Sequence, residues 1–252
     1  MSINRSVYRN VTFHDATNPD VTLGGLLQNG PITEGNFLDI LEIVLAVSVA
    51  IRVLRRASTH LVSRVKVPLE IGKYELLILS APIKLNKNVW VEHAITQNVT
   101  GRNKQFRRKV RDHDRMCVIS GIRNPEGHIQ ANNWCSSEAC HVFPLEHESP
   151  WDALEYGEFV TDIKDTSRRR KISSCQNGLT LESGIHVKFD PYKISVNPDD
   201  NYKIGVFDID IYQLDGRILE LVWGNLENPH HVPDQLLKWL FEQSVLSNVK
   251  RP

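Results

Sequence analysis

The sequence predicts an α+β fold, with a β-β-α core preceded by additional helix and strand elements and followed by a C-terminal helix. Short segments of alternating apolar and polar residues, separated by turn residues, are typical of strands. Two longer segments have the apolar periodicity and the end residues of helices. Hydrophobic residues make up 41% of the 252 residues and charged residues 24%, which argues against a mainly disordered or collagen-like chain.

The N-terminal part of the chain is predicted to contain short strands followed by a long helix. Residues 1–30 alternate polar and apolar side chains, and a helix is predicted over residues 37–56, capped by Thr33. Acidic residues near its beginning and arginines near its end match the helix dipole. Because apolar residues surround its middle turns, either its own domain or a second copy should enclose it. A homodimer through the helix at 37–56 is therefore one hypothesis.

No segment of the sequence is predicted to cross a membrane. The longest apolar run, residues 43–51 (IVLAVSVAI), has about half of the roughly 20 residues that span a bilayer, and it is interpreted as a buried helix. The N-terminal residues lack the apolar stretch of a secretory signal, and four irregularly spaced cysteines do not form a disulfide framework. These features predict an intracellular protein, cytoplasmic or nuclear.

A domain boundary is predicted between residues 101 and 102. Residues 1–101 are interpreted as an N-terminal α+β region for packing or dimerisation, which ends with two strands, ELLILSAPI and VWVEHAI. Residues 102–252 form the second region. In it, residues 193–210 are predicted to form strands around a Pro-Asp-Asp turn, and residues 233–248 to form the closing helix.

The second region opens with a cluster of positive charge. Thirty basic and thirty acidic residues give the chain no net charge, so binding to nucleic acid would depend on local clustering. Between residues 102 and 115 there are seven bases and only two acids. Such a run of basic residues can contact phosphates if the charges lie on one face of a helix. If they do not, the run is an ordinary solvated helix surface. The candidates for nucleic-acid binding are Arg107, Arg108, Lys109 and Arg111.

Three segments carry polar residues in the order His, Asn, His. They are residues 138–144 (EACHVFP), 176–181 (QNGLTL) and 184–190 (GIHVKFD). A strand that ends near His141, a loop that delivers Asn177 before a second strand, and a helix that carries His186 would make a β-β-α hairpin. The spacing allows these three side chains to converge on one divalent ion.

This ordered set resembles the HNH endonuclease family, a type of His-Me finger, and more narrowly the HNH proteins of fungi. Residues 111–121 (RDHDRMCVISG) resemble the entry strand and turn of the family, and NGLTL and HVKFD resemble its second strand and helix. The C-terminal helix resembles that of the fungal group. The likeness covers residues 105–250, with the finger itself at residues 112–191, so residues 102–252 are predicted to be an HNH-like domain with a C-terminal extension.

The resemblance implies a role for each polar residue. His141 would be the general base, Asn177 would fix the loop and orient His141, and His186 would help to hold a divalent metal. Relatives often place an Asp or a second His just before the base, where this chain has Cys140. A thiol suits zinc better than magnesium, and Asp190, one helical turn after His186, offers an oxygen ligand instead. The implied cofactor is Mg²⁺ or Mn²⁺, with Zn²⁺ as the alternative.

Three functions follow from these patterns. The preferred hypothesis is a metal-dependent endonuclease that hydrolyses DNA or RNA. The absent carboxylate before His141 and the neutral net charge favour a second hypothesis, in which the scaffold transforms a small molecule by acid-base chemistry without metal. A third hypothesis is a noncatalytic binding or dimeric scaffold. A zinc site shared by the four cysteines is disfavoured by their spacing.

Overall fold

The computed structural model describes residues 5–46, 51–78, 83–88, 90–91, 101–162, 171–219 and 230–250. The chain divides into two compact units. The first unit contains residues 1–90, 206–216 and 242–252, and the second unit contains residues 91–205 and 217–241. The functional division between residues 101 and 102 stays a prediction.

The first unit is built on a four-stranded sheet in the order β2-β1-β4-β3. Strand β1 pairs antiparallel with β2 and parallel with β4, and β3 pairs antiparallel with β4. The predicted short strands within residues 1–30 are thus confirmed. The strands are β1 (Val11–Asp15), β2 (Asn18–Leu26), β3 (Arg52–Arg55) and β4 (Gly72–Leu77).

Helix α1 (Glu34–Val44) begins as predicted but is much shorter than predicted. Thr33 and Asn36 form a capping box at its N-terminal end. At Leu45 the backbone is already extended, and after residues 47–50, which lie outside the described residues, the chain forms β3. The helix predicted over residues 37–56 is therefore wrong at residues 45–46 and 51–56, and the homodimer hypothesis loses the long helix on which it rested.

The physical reason for this error is that residues 52–55 have a strand partner distant in sequence, which local periodicity does not reveal. Arg52 and Val53 pair with Leu77 and Leu76 of β4. Of the two strands predicted between residues 68 and 100, β4 confirms part of the first, whereas most of VWVEHAI lies outside the described residues.

The second unit contains the predicted β-β-α hairpin. Strand β5 (Ser137–His141) pairs antiparallel with β6 (Gly178–Glu182). A second antiparallel pair is β7 (Ile194–Asn197) with β8 (Lys203–Val206), joined by the predicted Pro-Asp-Asp turn. The helices of this part of the chain are α2 (Gly101–Asp114), α3 (Glu126–Gln130), α4 (Glu148–Ala153), α5 (Ser183–Phe189) and α6 (Asp234–Asn248).

Helix α2 packs against the β5-β6 hairpin through its apolar side. Phe106 and Val110, four residues apart, are both buried and form a cluster with Cys175. At Gly178, an added Cβ atom would lie 2.6 Å from Phe106 Cζ and 2.6 Å from Val110 Cγ2. Glycine is therefore required at the start of β6, because any side chain there would push α2 away from the hairpin.

The entry strand implied for residues 111–121 is absent, because α2 continues through Asp114. Two hydrogen bonds then hold the end of α2 and the residues after it beside β6. Asp114 Oδ2 accepts from the Thr180 amide at 2.6 Å, and the Val118 amide donates to the Thr180 carbonyl at 3.0 Å. Met116 and Arg123 form an isolated bridge around the predicted turn. The segment is thus a helix end and a turn rather than a strand.

The C-terminal helix α6 confirms the prediction for residues 233–248. Within the second unit, the ring centres of Trp239 of this helix and of Phe143 lie 4.3 Å apart, and Phe143 also contacts Trp151. Phe143 follows His141 by two residues, so this aromatic core holds the chain just beyond β5. None of the helices in the described ranges is long and apolar enough to cross a membrane.

Candidate active site on the β-β-α hairpin

His141 is the last residue of β5, and an aromatic ring fixes its orientation. Its imidazole stacks on the ring of Phe106 of α2, with ring centres 3.7 Å apart and planes 8° apart. Phe106 is itself only 3% exposed, so its ring cannot move freely. The partly buried imidazole of His141 is therefore presented in one ring plane at the end of the strand.

Asn177 holds the chain that follows His141. Its Oδ1 atom accepts from the Phe143 amide at 2.7 Å, and its Nδ2 group donates to the carbonyls of Phe143 and Ile172, both at 2.9 Å. The Asn177 carbonyl also accepts from the Val142 amide at 3.0 Å. Because both amide hydrogens are used and the side chain is fully buried, Asn177 has a structural role in this segment. We call these bonds the Asn177 clamp.

His186 of α5 lies between two carboxylates. Its Nδ1 atom is 2.5 Å from Glu138 Oε2, and its Nε2 atom is 3.1 Å from Asp190 Oδ1. The sequence interpretation included His186 and Asp190 but missed Glu138. The alternation of side chains along a strand could have indicated Glu138. Position 138 lies on the same face of β5 as position 140, which the sequence interpretation had placed beside the metal, and not on the face of His141.

The two carboxylates raise the pKa of His186 above its usual value. Burial of the imidazole acts in the opposite direction and is the largest individual effect, but the hydrogen bonds and charges of Asp190 and Glu138 together outweigh it. The proton on His186 therefore stabilises the fold fully below the unfolded pKa of about 6.5. This contribution is lost as the pH rises through the higher pKa of the folded state.

His141 and Glu138, the partner of His186, lie on opposite faces of strand β5. Ala139 packs on the Phe106 cluster, on the side where His141 stacks, whereas Glu138 contacts His186 of α5. The described contacts therefore form two groups of residues. One is His141 with Phe106 beside α2, and the other, which we call the α5 half-site, is His186 with Glu138 and Asp190. The predicted convergence of His141 and His186 on a single ion remains a prediction.

Comparisons with known families cover the part of the chain that contains these residues. Residues 117–197 match the family of HNH endonucleases. The match includes β5, β6 and α5, and hence His141, Asn177 and His186. Residues 8–81 match a family described only as a domain of unknown function (DUF8573). No curated protein and no solved structure matches the chain, and the narrower likeness to fungal proteins has no support.

Cys140 of the HNH region has a structural partner rather than the exposed sulfur of a ligand. Its thiol is buried and donates to the Leu179 carbonyl of β6 at 3.3 Å. Burial, reinforced by the negative charges of Asp190 and Asp114, raises the pKa of Cys140 well above its usual value. The protonated thiol therefore ties the two strands together, and we do not include Cys140 among the candidate metal ligands.

The basic residues that precede the HNH region differ in exposure. Arg111 donates to the Ser137 carbonyl at 2.8 Å and lies 5.4 Å from the ring centre of Trp134. Burial, followed by the charge of Arg107, lowers the pKa of Arg111. Arg111 thus supports the start of β5, while Arg107 is half-buried and both Arg108 and Lys109 are exposed.

Replacing Glu138 with glutamine is expected to lower the pKa of His186, because the substitution removes one of the two negative charges that raise it. The measurement is an NMR titration of the His186 ring in wild type and in Glu138→Gln. Glu126→Gln is the matched control, because Glu126 pairs with Arg115 at an exposed position. An unchanged His186 pKa in Glu138→Gln would show that the Glu138 contact is not formed in solution.

Proposed function

We propose that the HNH region is a divalent-cation-dependent endonuclease that hydrolyses phosphodiester bonds of DNA, with RNA as a second substrate class. The observation that carries the proposal is the pairing of His186 of α5 with Asp190, the residue that follows this helix. Glu138 contacts the other side of the imidazole, and the neighbouring strand ends in an oriented His141. The family match to HNH endonucleases supports the same reaction class.

The residues around α5 fit a divalent cation. Adjacent ligands of an octahedral ion with bonds of about 2.1 Å lie about 3 Å apart. His186 Nε2 and Asp190 Oδ1 are separated by 3.1 Å. Glu138, on the other ring nitrogen, would orient the imidazole, as carboxylates commonly do behind metal-bound histidines. A bound cation would stabilise the negative charge that develops on the phosphate.

His141 would accept the proton of the attacking water. A neutral imidazole is suited to this role near pH 7, provided that its ring is held in the productive orientation. Stacking on Phe106 holds the ring plane, and the Asn177 clamp holds the backbone immediately after His141. Both contacts act before substrate arrives, so the general base is preorganised.

The substrate strand would be held by exposed positive charge on α2. Arg108 and Lys109 occupy its exposed side, on the same helix that carries Phe106 beneath His141. Lysine and arginine side chains at exposed positions bind phosphates without reading sequence. Arg107 is the third candidate, and Arg111 acts indirectly by supporting the start of β5.

The proposal is tested by cleavage of supercoiled plasmid DNA and of single-stranded RNA with Mg²⁺, with Mn²⁺ and with a chelator. Wild type is expected to cut only with cation. Asp190→Asn is expected to cut at least about 10-fold more slowly and to recover partly at higher cation concentration, since a ligand is weakened. Asp199→Asn, which removes an exposed partner of Lys238, is the matched control and should cut as wild type does.

Two results would contradict this function. If the wild-type protein cuts neither DNA nor RNA with either cation, the nuclease proposal is rejected. The acid-base transformation of a small molecule then becomes the leading hypothesis. Cleavage by Asp190→Asn at the wild-type rate and at the same cation concentration would show that the cation is held elsewhere.

A further inference from the structure

Three residues outside the α5 half-site bring metal-binding atoms together. They are Asp162, Cys175 and His230, whose ligand atoms all lie within 4.8 Å of one another. Among the described residues, no other group of three His, Cys, Asp or Glu side chains meets this distance. We infer that these residues form a second metal site, which binds Zn²⁺ or a similar transition-metal ion. We call it the Cys175 site.

The distances at the Cys175 site are close to those of a tetrahedral zinc centre. Bonds of about 2.3 Å to sulfur and about 2.1 Å to nitrogen or oxygen place the sulfur about 3.6 Å from each of the other ligands. Cys175 Sγ lies 3.5 Å from His230 Nδ1 and 3.1 Å from Asp162 Oδ2. An ion would therefore require the aspartate to shift by only about half an ångström.

A neighbouring hydroxyl holds the aspartate in a ligand orientation. Ser174 Oγ donates to Asp162 Oδ1 at 2.5 Å, so the other carboxylate oxygen, Oδ2, is directed to Cys175. Hydrogen bonds of this kind behind a ligand fix its geometry and strengthen metal binding. The same hydroxyl accepts from the Gln176 amide at 2.9 Å, which couples the aspartate to the turn that carries Cys175.

The donor set distinguishes the Cys175 site from the α5 half-site. Sulfur and imidazole ligands favour zinc and other soft ions, whereas magnesium prefers oxygen ligands. Cys175 is buried, Asp162 is half-buried and His230 is exposed, so a fourth ligand could reach the ion from solvent. Three protein ligands and a water would complete a tetrahedral centre.

An ion at the Cys175 site would stabilise the elements behind His141. Cys175 opens the short 3₁₀ helix Cys175–Asn177, which ends in the residue of the Asn177 clamp. Cys175 also packs in the cluster of Phe106 and Val110, and Phe106 stacks on His141. The ion would thereby connect three segments that are distant in sequence, and its role is structural support of the clamp.

The test is metal binding by the full chain after removal of metal with a chelator. Wild type is expected to bind one equivalent of Zn²⁺ at the Cys175 site, with a rise in Tm. With Co²⁺ it should show a thiolate-to-cobalt charge-transfer band in the near ultraviolet. Cys175→Ser should lose this band, while Asp162→Asn and His230→Ala should weaken Zn²⁺ binding by at least about 10-fold.

Matched controls make each outcome decisive. Cys135→Ser removes an exposed free thiol and His128→Ala an exposed imidazole, and both should bind metal as wild type does. Asp190→Asn should keep the cobalt band, which separates this site from the proposed nuclease site. Absence of the band in wild type, its persistence in Cys175→Ser, or unchanged affinity in Asp162→Asn and His230→Ala would each overturn the inference.

Discussion

Replacing His141 with phenylalanine is expected to lower the rate of DNA hydrolysis by about 10²–10⁴-fold, the usual contribution of a general base. Phenylalanine keeps a flat ring that can stack on Phe106 but cannot accept a proton from water. His141→Ala should lose the same activity and, in addition, some stability, because an aromatic pair contributes about 0.5–1.5 kcal/mol beyond its buried area.

Initial rates of plasmid cleavage and thermal unfolding followed by circular dichroism measure the two effects separately. His128→Ala is the control, since His128 is exposed on α3, and both its rate and its Tm should match wild type. If His141→Phe cleaves at the wild-type rate, the proton acceptor is another group and the role proposed for His141 must be abandoned.

Replacing Asn177 with alanine is expected to destabilise the protein by about 3–5 kcal/mol. The substitution removes three hydrogen bonds and leaves the amide and carbonyl of Phe143 and the carbonyl of Ile172 without this partner in a buried region. A buried polar group that loses its partner costs about 1–3 kcal/mol. Since a typical domain is stable by about 5–15 kcal/mol, the loss is a large part of the total.

Urea unfolding measures this loss as a lower midpoint at an unchanged slope. The matched control is Asn124→Ala, which removes one exposed bond to the Asn133 carbonyl and should cost less than about 1 kcal/mol. Nuclease activity of Asn177→Ala should fall even at temperatures where the protein is folded, because the backbone after His141 is released. Equal midpoints for the two variants would show that the clamp bonds are replaced in solution.

The HNH hairpin could be predicted from sequence because its signals are local. His141, Asn177 and His186 occur in the order and spacing that two short strands and a helix require, and β5, β6 and α5 form there. The helix at residues 233–248 was predictable for the same reason, since its apolar periodicity and its Pro at the beginning lie within one segment.

Partners distant in sequence were not predictable. The helix predicted from residue 37 was extended to residue 56, but residues 52–55 form a strand because they pair with β4, which is distant in sequence. Glu138 contacts His186, which is 48 residues later in the chain. Arg111 binds the Ser137 carbonyl and packs over Trp134 instead of extending into solvent. The Cys175 site assembles from positions 162, 175 and 230, which no spacing rule relates.

The sequence alone therefore predicted the likeness of residues 117–197 to HNH endonucleases and supplied the candidate base, because a family motif is a local pattern of residue types. Only the tertiary structure decided which polar atoms share a face. It placed Glu138 and Asp190 on either side of His186, and it set His141 on the face of β5 opposite to Glu138. The physical reason is that charge, burial and metal geometry act over a few ångströms in space, whatever the separation along the chain.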